Sequence, residues 1–197
     1  MNRLTNSSMT RRGTQRLLIA LFASLLIAPS VWAQSGNVEI RSANSELRDG
    51  VHRASARIQF QLSERIDNAL ANGIELAIRF DFEIYRQRRF WPDANVATLQ
   101  VVNVLRFNKV SERYTLVNEN TGRRTSYATI FAALNAMGRI DGLPLVDAAL
   151  LRDGASHSVR LRADVSMADY PVSLRYLLFW RDDWHVNSDW YSWSLDP

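Results

Sequence analysis

The stretch Ile74–Tyr85, IELAIRFDFEIY, decides the fold. Ile74, Leu76, Ile78, Phe80, Phe82 and Ile84 alternate with Glu75, Ala77, Arg79, Asp81, Glu83 and Tyr85. A period of two puts the first set on one face and the second on the other, which is a strand with a buried side and a wetter side. Twelve residues at ~3.4 Å each would run ~40 Å, longer than usual, so a bend or bulge is expected within it.

Weaker copies of this alternation flank it. ARIQFQL places Ile58, Phe60 and Leu62 together, and SVRLRADV places Val159, Leu161, Ala163 and Val165 opposite Arg160, Arg162 and Asp164. LRYLLFW aligns Leu174, Tyr176, Leu178 and Trp180, and LQVVNVLRF with ERYTLVN forms an expected hairpin around Asn108 and Lys109. Helix is scarce. SERIDNALANG offers a Ser63 cap, Ile66 and Leu70 four apart, and a Gly73 stop. SYATIFAALNAMG offers Ser126 as a cap, Ile130, Leu134 and Met137 on one face, and Gly138 as a stop. Many strands and two short helices predict a mainly β chain, an immunoglobulin/fibronectin-III-like antiparallel β-sandwich. The segment LLRDGASHSVRLRA resembles the turn and strand before the penultimate strand of fibronectin type III domains. His157 stands where that family carries its corner tyrosine.

The N-terminus reads separately. Arg3, Arg11, Arg12 and Arg16 precede the apolar run Leu17–Ile27, and Val31 and Ala33 form a small-residue exit. A charged head, an apolar middle and an A-x-A-like end predict a secretory signal peptide over residues 1–33, cleaved after Ala33. The uncharged apolar stretch is shorter than the ~20 residues of a spanning helix, so no stable membrane span is expected after cleavage. The expected compartment is the periplasm, with residues 34–197 as a single domain. Of the 24 basic residues four arginines fall in 1–33, which leaves 20 against 20 acidic residues beyond it. A neutral domain exerts no global pull on a polyanion, so nucleic acid is not an expected partner. With no cysteine, the chain has neither disulfides nor thiolate chemistry.

Catalytic constellations are not apparent. His52, His157 and His185 stand apart in sequence, without the spacing of a metal site, and no nucleophile elbow, phosphate loop or zinc-protease motif occurs. Neither cofactor nor metal is expected. Two surfaces remain. Arg86, Arg88 and Arg89 meet Phe90 and Trp91 as the Ile74–Tyr85 strand ends, and such a mixture suits an anionic or aromatic contact. This is the expected partner-binding loop. The second surface is the chain end, WRDDWHVNSDWYSWSLDP. Its apolar phase flips after Asn187–Asp189, where a turn or bulge is expected. Trp180, Trp184 and Trp193 then close the core, and Trp190 and Tyr191 become candidate ligand contacts. With Asp182, Asp183 and Asp189 nearby, the alternative is a carbohydrate-binding or glycan-processing protein.

ANGIELAIRFDFEIYRQRRFW, the ALLRDG and VRLRADV blocks, and SDWYSWSL together resemble a family of Gram-negative secreted proteins. It is the domain-of-unknown-function 4390 type, also labelled proline-rich signal-peptide protein. Ser194 stands where that family leads one to expect proline. The resemblance implies no assigned activity and no catalytic residues. It implies a partner among envelope or inner-membrane proteins, a sensor kinase being one. A non-enzymatic, partner-binding periplasmic sandwich is therefore the leading expectation.

Overall fold

The computed structural model describes residues 36–168 and 185–195. The expected leader, the LRYLLFW strand, Trp180, Asp182, Asp183 and Trp184 lie outside the described residues. In chain order the elements are β1 (Asn37–Arg48), β2 (Val51–Gln61), α1 (Glu64–Ala71), β3 (Leu76–Arg86), β4 (Ala94–Asn108), β5 (Arg113–Asn118) and β6 (Arg124–Tyr127). There follow α2 (Ile130–Met137), β7 (Arg139–Asp147), a 3-10 turn at Ala148–Leu150, β8 (His157–Met167), β9 (Val186–Asn187) and β10 (Tyr191–Leu195). Two antiparallel sheets result. One is ordered β1-β2-β7; the other is ordered β10-β8-β3-β4-β5-β6, with β9 also on β8. The chain is a mainly β antiparallel sandwich with two short helices among the described residues.

β3 is the spine of the larger sheet, paired to β4 on one side and β8 on the other. Leu76, Ile78, Phe80, Phe82 and Ile84 point inward and are at most 2 % exposed. Val159, Leu161, Ala163 and Val165 of β8 extend this layer, and Val38, Ile40, Ala54, Ala56 and Ile58 of the smaller sheet close on it. Across the gap, Phe60 meets Phe80 edge-on, with ring centroids 6.3 Å apart. Each large side chain so buried contributes about 2 kcal/mol of transfer free energy, which is why the sheets stay face to face.

The expected strand is shortened at its start. Ile74 donates its N–H to the Ala69 carbonyl at 3.0 Å, so it belongs to the exit of α1 and the ladder begins at Leu76. The bulge falls on the neighbouring strand instead. Ile84 pairs with Ala97 and Tyr85 with Asn95, leaving Val96 as the extra residue of β4. α1 starts as read, with the Ser63 hydroxyl accepting from Ile66 N. α2 does not. Its cap is Thr129, whose hydroxyl accepts from Ala132 N at 3.1 Å. Ser126 stays in β6, paired with Thr115 and held by Arg113 Nε at 2.8 Å, because the ladder offers it better partners than a helix start. The predicted face of α2 is nonetheless the one that packs, with Met137 buried and Ile130 and Leu134 against the core.

At the chain end the register on β8 advances by one residue between Asn187 and Tyr191. A bulge at Ser188–Trp190 accommodates this, pinned by Ser188 N to Ala163 O at 2.8 Å and by Ala163 N to Ser188 Oγ at 3.0 Å. Beyond it Tyr191, Trp193 and Leu195 face inward, and the Trp193 indole donates to Ser45 Oγ at 2.6 Å. That bond ties β10 to β1 and closes one side of the sandwich.

Candidate functional site

The end of the sandwich beyond β3 is built from three connections. The β1–β2 hairpin turns on Asp49-Gly50, both with positive φ (52° and 75°), as a tight two-residue turn requires. Gly50 O accepts from Ala148 N at 2.8 Å, which sets the β7–β8 connection beside that hairpin. The β3–β4 loop, Gln87–Asp93, is fastened to the same connection by Gln87 N to Ser156 O at 2.9 Å. Asp93 folds it, its carboxylate accepting from Arg88 N at 3.1 Å.

Phe90 and Trp91 crown this loop, 84 % and 74 % exposed. Arg89 lies over the Phe90 ring, 5.5 Å from its centroid. Arg86 is pushed below its usual basicity first by the neighbouring Arg152, then by burial and Arg88. Arg152 and Arg88 thus both repel Arg86, and none of Arg86, Arg88, Arg89 or Arg152 forms an ion pair among the described residues. Arg152, which sequence proximity could not reveal, is the added member; its LLRDG turn is the only signal that could have drawn attention to it. Chemically the loop offers flat apolar area beside unneutralised cations.

Trp190 and Tyr191 do not form one platform. The bulge turns Trp190 to the outer face of the larger sheet, while Tyr191 faces inward, 6.3 Å from the Trp193 ring centroid. Arg160 and Arg162 lie 4.6 Å and 4.7 Å from the Trp190 centroid. Arg160 also contacts the Tyr85 ring at 4.3 Å, its Nε meets Glu83 at 2.8 Å, and its terminal nitrogen donates to the Tyr85 hydroxyl at 2.6 Å. Arg162 stands 4.0 Å from Asp81, which also accepts from Gln100 at 2.8 Å. Burial alone would raise the Glu83 carboxyl, but the hydrogen bonds from Tyr85 and Arg160, with the field of both arginines, bring it below its ordinary value. A general acid for glycoside cleavage needs the reverse shift.

The histidines are less isolated than their sequence spacing suggests, because strand pairing supplies partners from far along the chain. His185 Nε2 meets Asp164 Oδ2, and Arg79 approaches the same carboxylate at 3.7 Å. His52 on β2 and His157 on β8 are both buried, and His52 is held below its ordinary value first by burial and then by His157. His52 Nδ1 and His157 Nε2 have no hydrogen-bond partner. Among the described residues, no three His, Cys, Asp or Glu side chains come together to hold a metal ion, and no helix is long and apolar enough to cross a membrane.

The profile of a family described as Domain of unknown function (DUF4390) matches residues 35–194. The chain belongs to that family. The match takes in both sheets, the Arg/aromatic loop and the bulge that carries Trp190, so all three are parts of the DUF4390 domain itself. No curated protein and no solved structure gives a significant match.

Proposed function

We propose that this DUF4390 chain is an exported envelope module that binds a protein partner through Arg86, Arg88, Arg89, Phe90 and Trp91, joined by Arg152. The single observation that carries the reading is the exposure of the adjacent Phe90 and Trp91 on a loop that its own hydrogen bonds hold in place. Isolated exposed apolar residues are common, but two large aromatics side by side beside unpaired arginines have the composition of an interface centre. The compartment rests on the charged and apolar leader of residues 1–33, and the partner class, an envelope or inner-membrane protein with a sensor kinase among them, on what the family resemblance implies. The module acts by contact rather than by chemistry.

The test pairs two variants, R88E/R89E and F90A/W91A, in chains recovered from the periplasmic fraction. Both should lose envelope proteins that co-purify with the wild type, while the melting temperature stays within ~2 °C because these side chains support no core packing. An unchanged set of co-purifying proteins would refute the reading. The alternative, a glycan-binding role, is left with Trp190 as its outward ring. Titrating tryptophan fluorescence with peptidoglycan fragments distinguishes the two, since only a glycan reader should respond and lose the response in W190A.

A further inference from the structure

β4 is covered unevenly. β3 pairs with it from Ala94 to Leu105, but β5 covers its other side only from Asn103 to Asn108. The ladder is then ended by a side chain acting as a strand. Asn120 Oδ1 accepts from Val102 N at 2.8 Å, and its amide donates to Gln100 O at 2.9 Å. Ahead of that cap, no described strand lies beside Ala94–Leu99 on the β5 side. Backbone groups alternate in direction along an antiparallel strand. Since Val102 N and Gln100 O point away from β3, so do the N–H and C=O of Thr98.

Free edges are usually blunted by charge, proline or a covering element. Ala94–Gln100 contains no charged residue and no proline, and the bulge at Val96 is its one irregularity. The loop bearing Arg88, Arg89, Phe90 and Trp91 runs straight into it, with only Pro92 and Asp93 between. An uncharged hydrogen-bonding edge that opens from a basic, aromatic loop has the parts needed for strand addition: main-chain bonds for affinity and flanking side chains for selectivity.

We propose that the partner docks as an extended acidic segment, added as a strand along β4 at Ala94–Gln100, with its carboxylates toward Arg86, Arg88 and Arg89 and its apolar side chains over Phe90 and Trp91. The inference rests on the proposed function and deepens it by naming the form and charge of what is bound. None of Arg86, Arg88, Arg89 and Arg152 has an ion-pair partner among the described residues, and Arg152 and Arg88 both repel Arg86; an acidic strand supplies the missing counter-charge, which gives the charge preference.

Photo-crosslinking residues placed singly at Asn95, Thr98, Gln100 and Trp91 of the full chain, in intact cells, test this. The expected result is one acidic peptide captured at all four positions, with the cross-linked residues advancing along the partner in step with the β4 position. Thr98→Pro should reduce capture at Trp91 at least tenfold. It removes an outward N–H, leaves the β3 ladder intact, and edge positions tolerate proline. Thr98→Ala should capture as the wild type does, and the melting temperatures of both variants exclude a folding failure. Capture at Trp91 that survives Thr98→Pro, with none at the edge positions, overturns strand addition and leaves the loop reading standing. No capture anywhere overturns both, and capture of a second copy of this chain overturns the acidic partner.

Discussion

Gly138→Ala tests the packing on which the sandwich depends, and it does so by the sign of its effect. Gly138 ends α2 with φ −71° and ψ 0°, a conformation any residue adopts. By backbone entropy alone, alanine there should stabilise by about 0.4–1 kcal/mol. The surroundings reverse this. A Cβ would stand 2.1 Å from Ile58 O, 3.2 Å from Ile58 C and 3.3 Å from Leu134 O. The first contact is with backbone of a central strand, and it can be relieved only by moving α2 off β2 by about 1 Å, against close packing. The same movement weakens the bond from Ile58 N to Gly138 O, 2.8 Å long and worth about 1 kcal/mol. Overpacking of this kind costs about 1–3 kcal/mol. With the weakened bond added and the entropic gain subtracted, the net is a loss of about 1–3.5 kcal/mol, or about 2–14 °C in melting temperature for a chain of this size. Urea titration of the chain from Gln34, followed by tryptophan fluorescence, should show a lower midpoint at unchanged slope. Gly122→Ala is the control. Its φ is +69° with open space around the Cβ, so it should lose only about 1–2 kcal/mol from left-handed strain. A Gly138→Ala protein as stable as the wild type would refute the seating of α2 against β2.

Three further outcomes follow from the same geometry. Phe82→Ala, at a position with 0 % exposure in the centre of β3, should cost about 3–5 kcal/mol in the same titration; a loss under ~1 kcal/mol would contradict its place in the core. Because His52 is held below its ordinary 6.5, the unfolded chain protonates first as pH falls, so its stabilising contribution is complete above 6.5 and is lost as pH drops through the folded value. His52→Gln should flatten stability against pH in that window, and an unchanged slope would deny that His52 is the group responsible. Ser45→Ala and Trp193→Phe remove two ends of one hydrogen bond, so a double-mutant cycle should return about 1 kcal/mol of coupling; strict additivity would mean that β10 is not tied to β1 there.

The legible parts of this fold were those whose side-chain pattern is set by local geometry alone. β3 and β8 each have one dry and one wet face, and their alternation survives in sequence without interruption. β1 and β7 carry no such sustained alternation. β1 loses phase at the irregularity between Ile40 and Ser42, and its second half is largely exposed. β7 carries Gly142 and Pro144 and slips register twice against β2, so its alternation is broken by the backbone. Asp49-Gly50, between β1 and β2, is a hairpin signal from which β1 and the start of β2 are legible. The Arg/aromatic loop was legible because its members are adjacent in sequence. Arg152, the Trp190 cradle of Arg160 and Arg162, and the side of β4 that no described strand covers were not, because each depends on which strand lies next to which.

The measurement closest to the central claim is hydroxyl-radical footprinting of Phe90 and Trp91 in intact cells and in the isolated chain. Phe131 serves as the internal reference, since it is 76 % exposed on α2 and takes no part in the proposed contact. If the loop is an occupied docking surface, Phe90 and Trp91 oxidise several-fold more slowly in cells than in isolation, while Phe131 oxidises at the same rate in both. Equal oxidation of all three in both settings would contradict it.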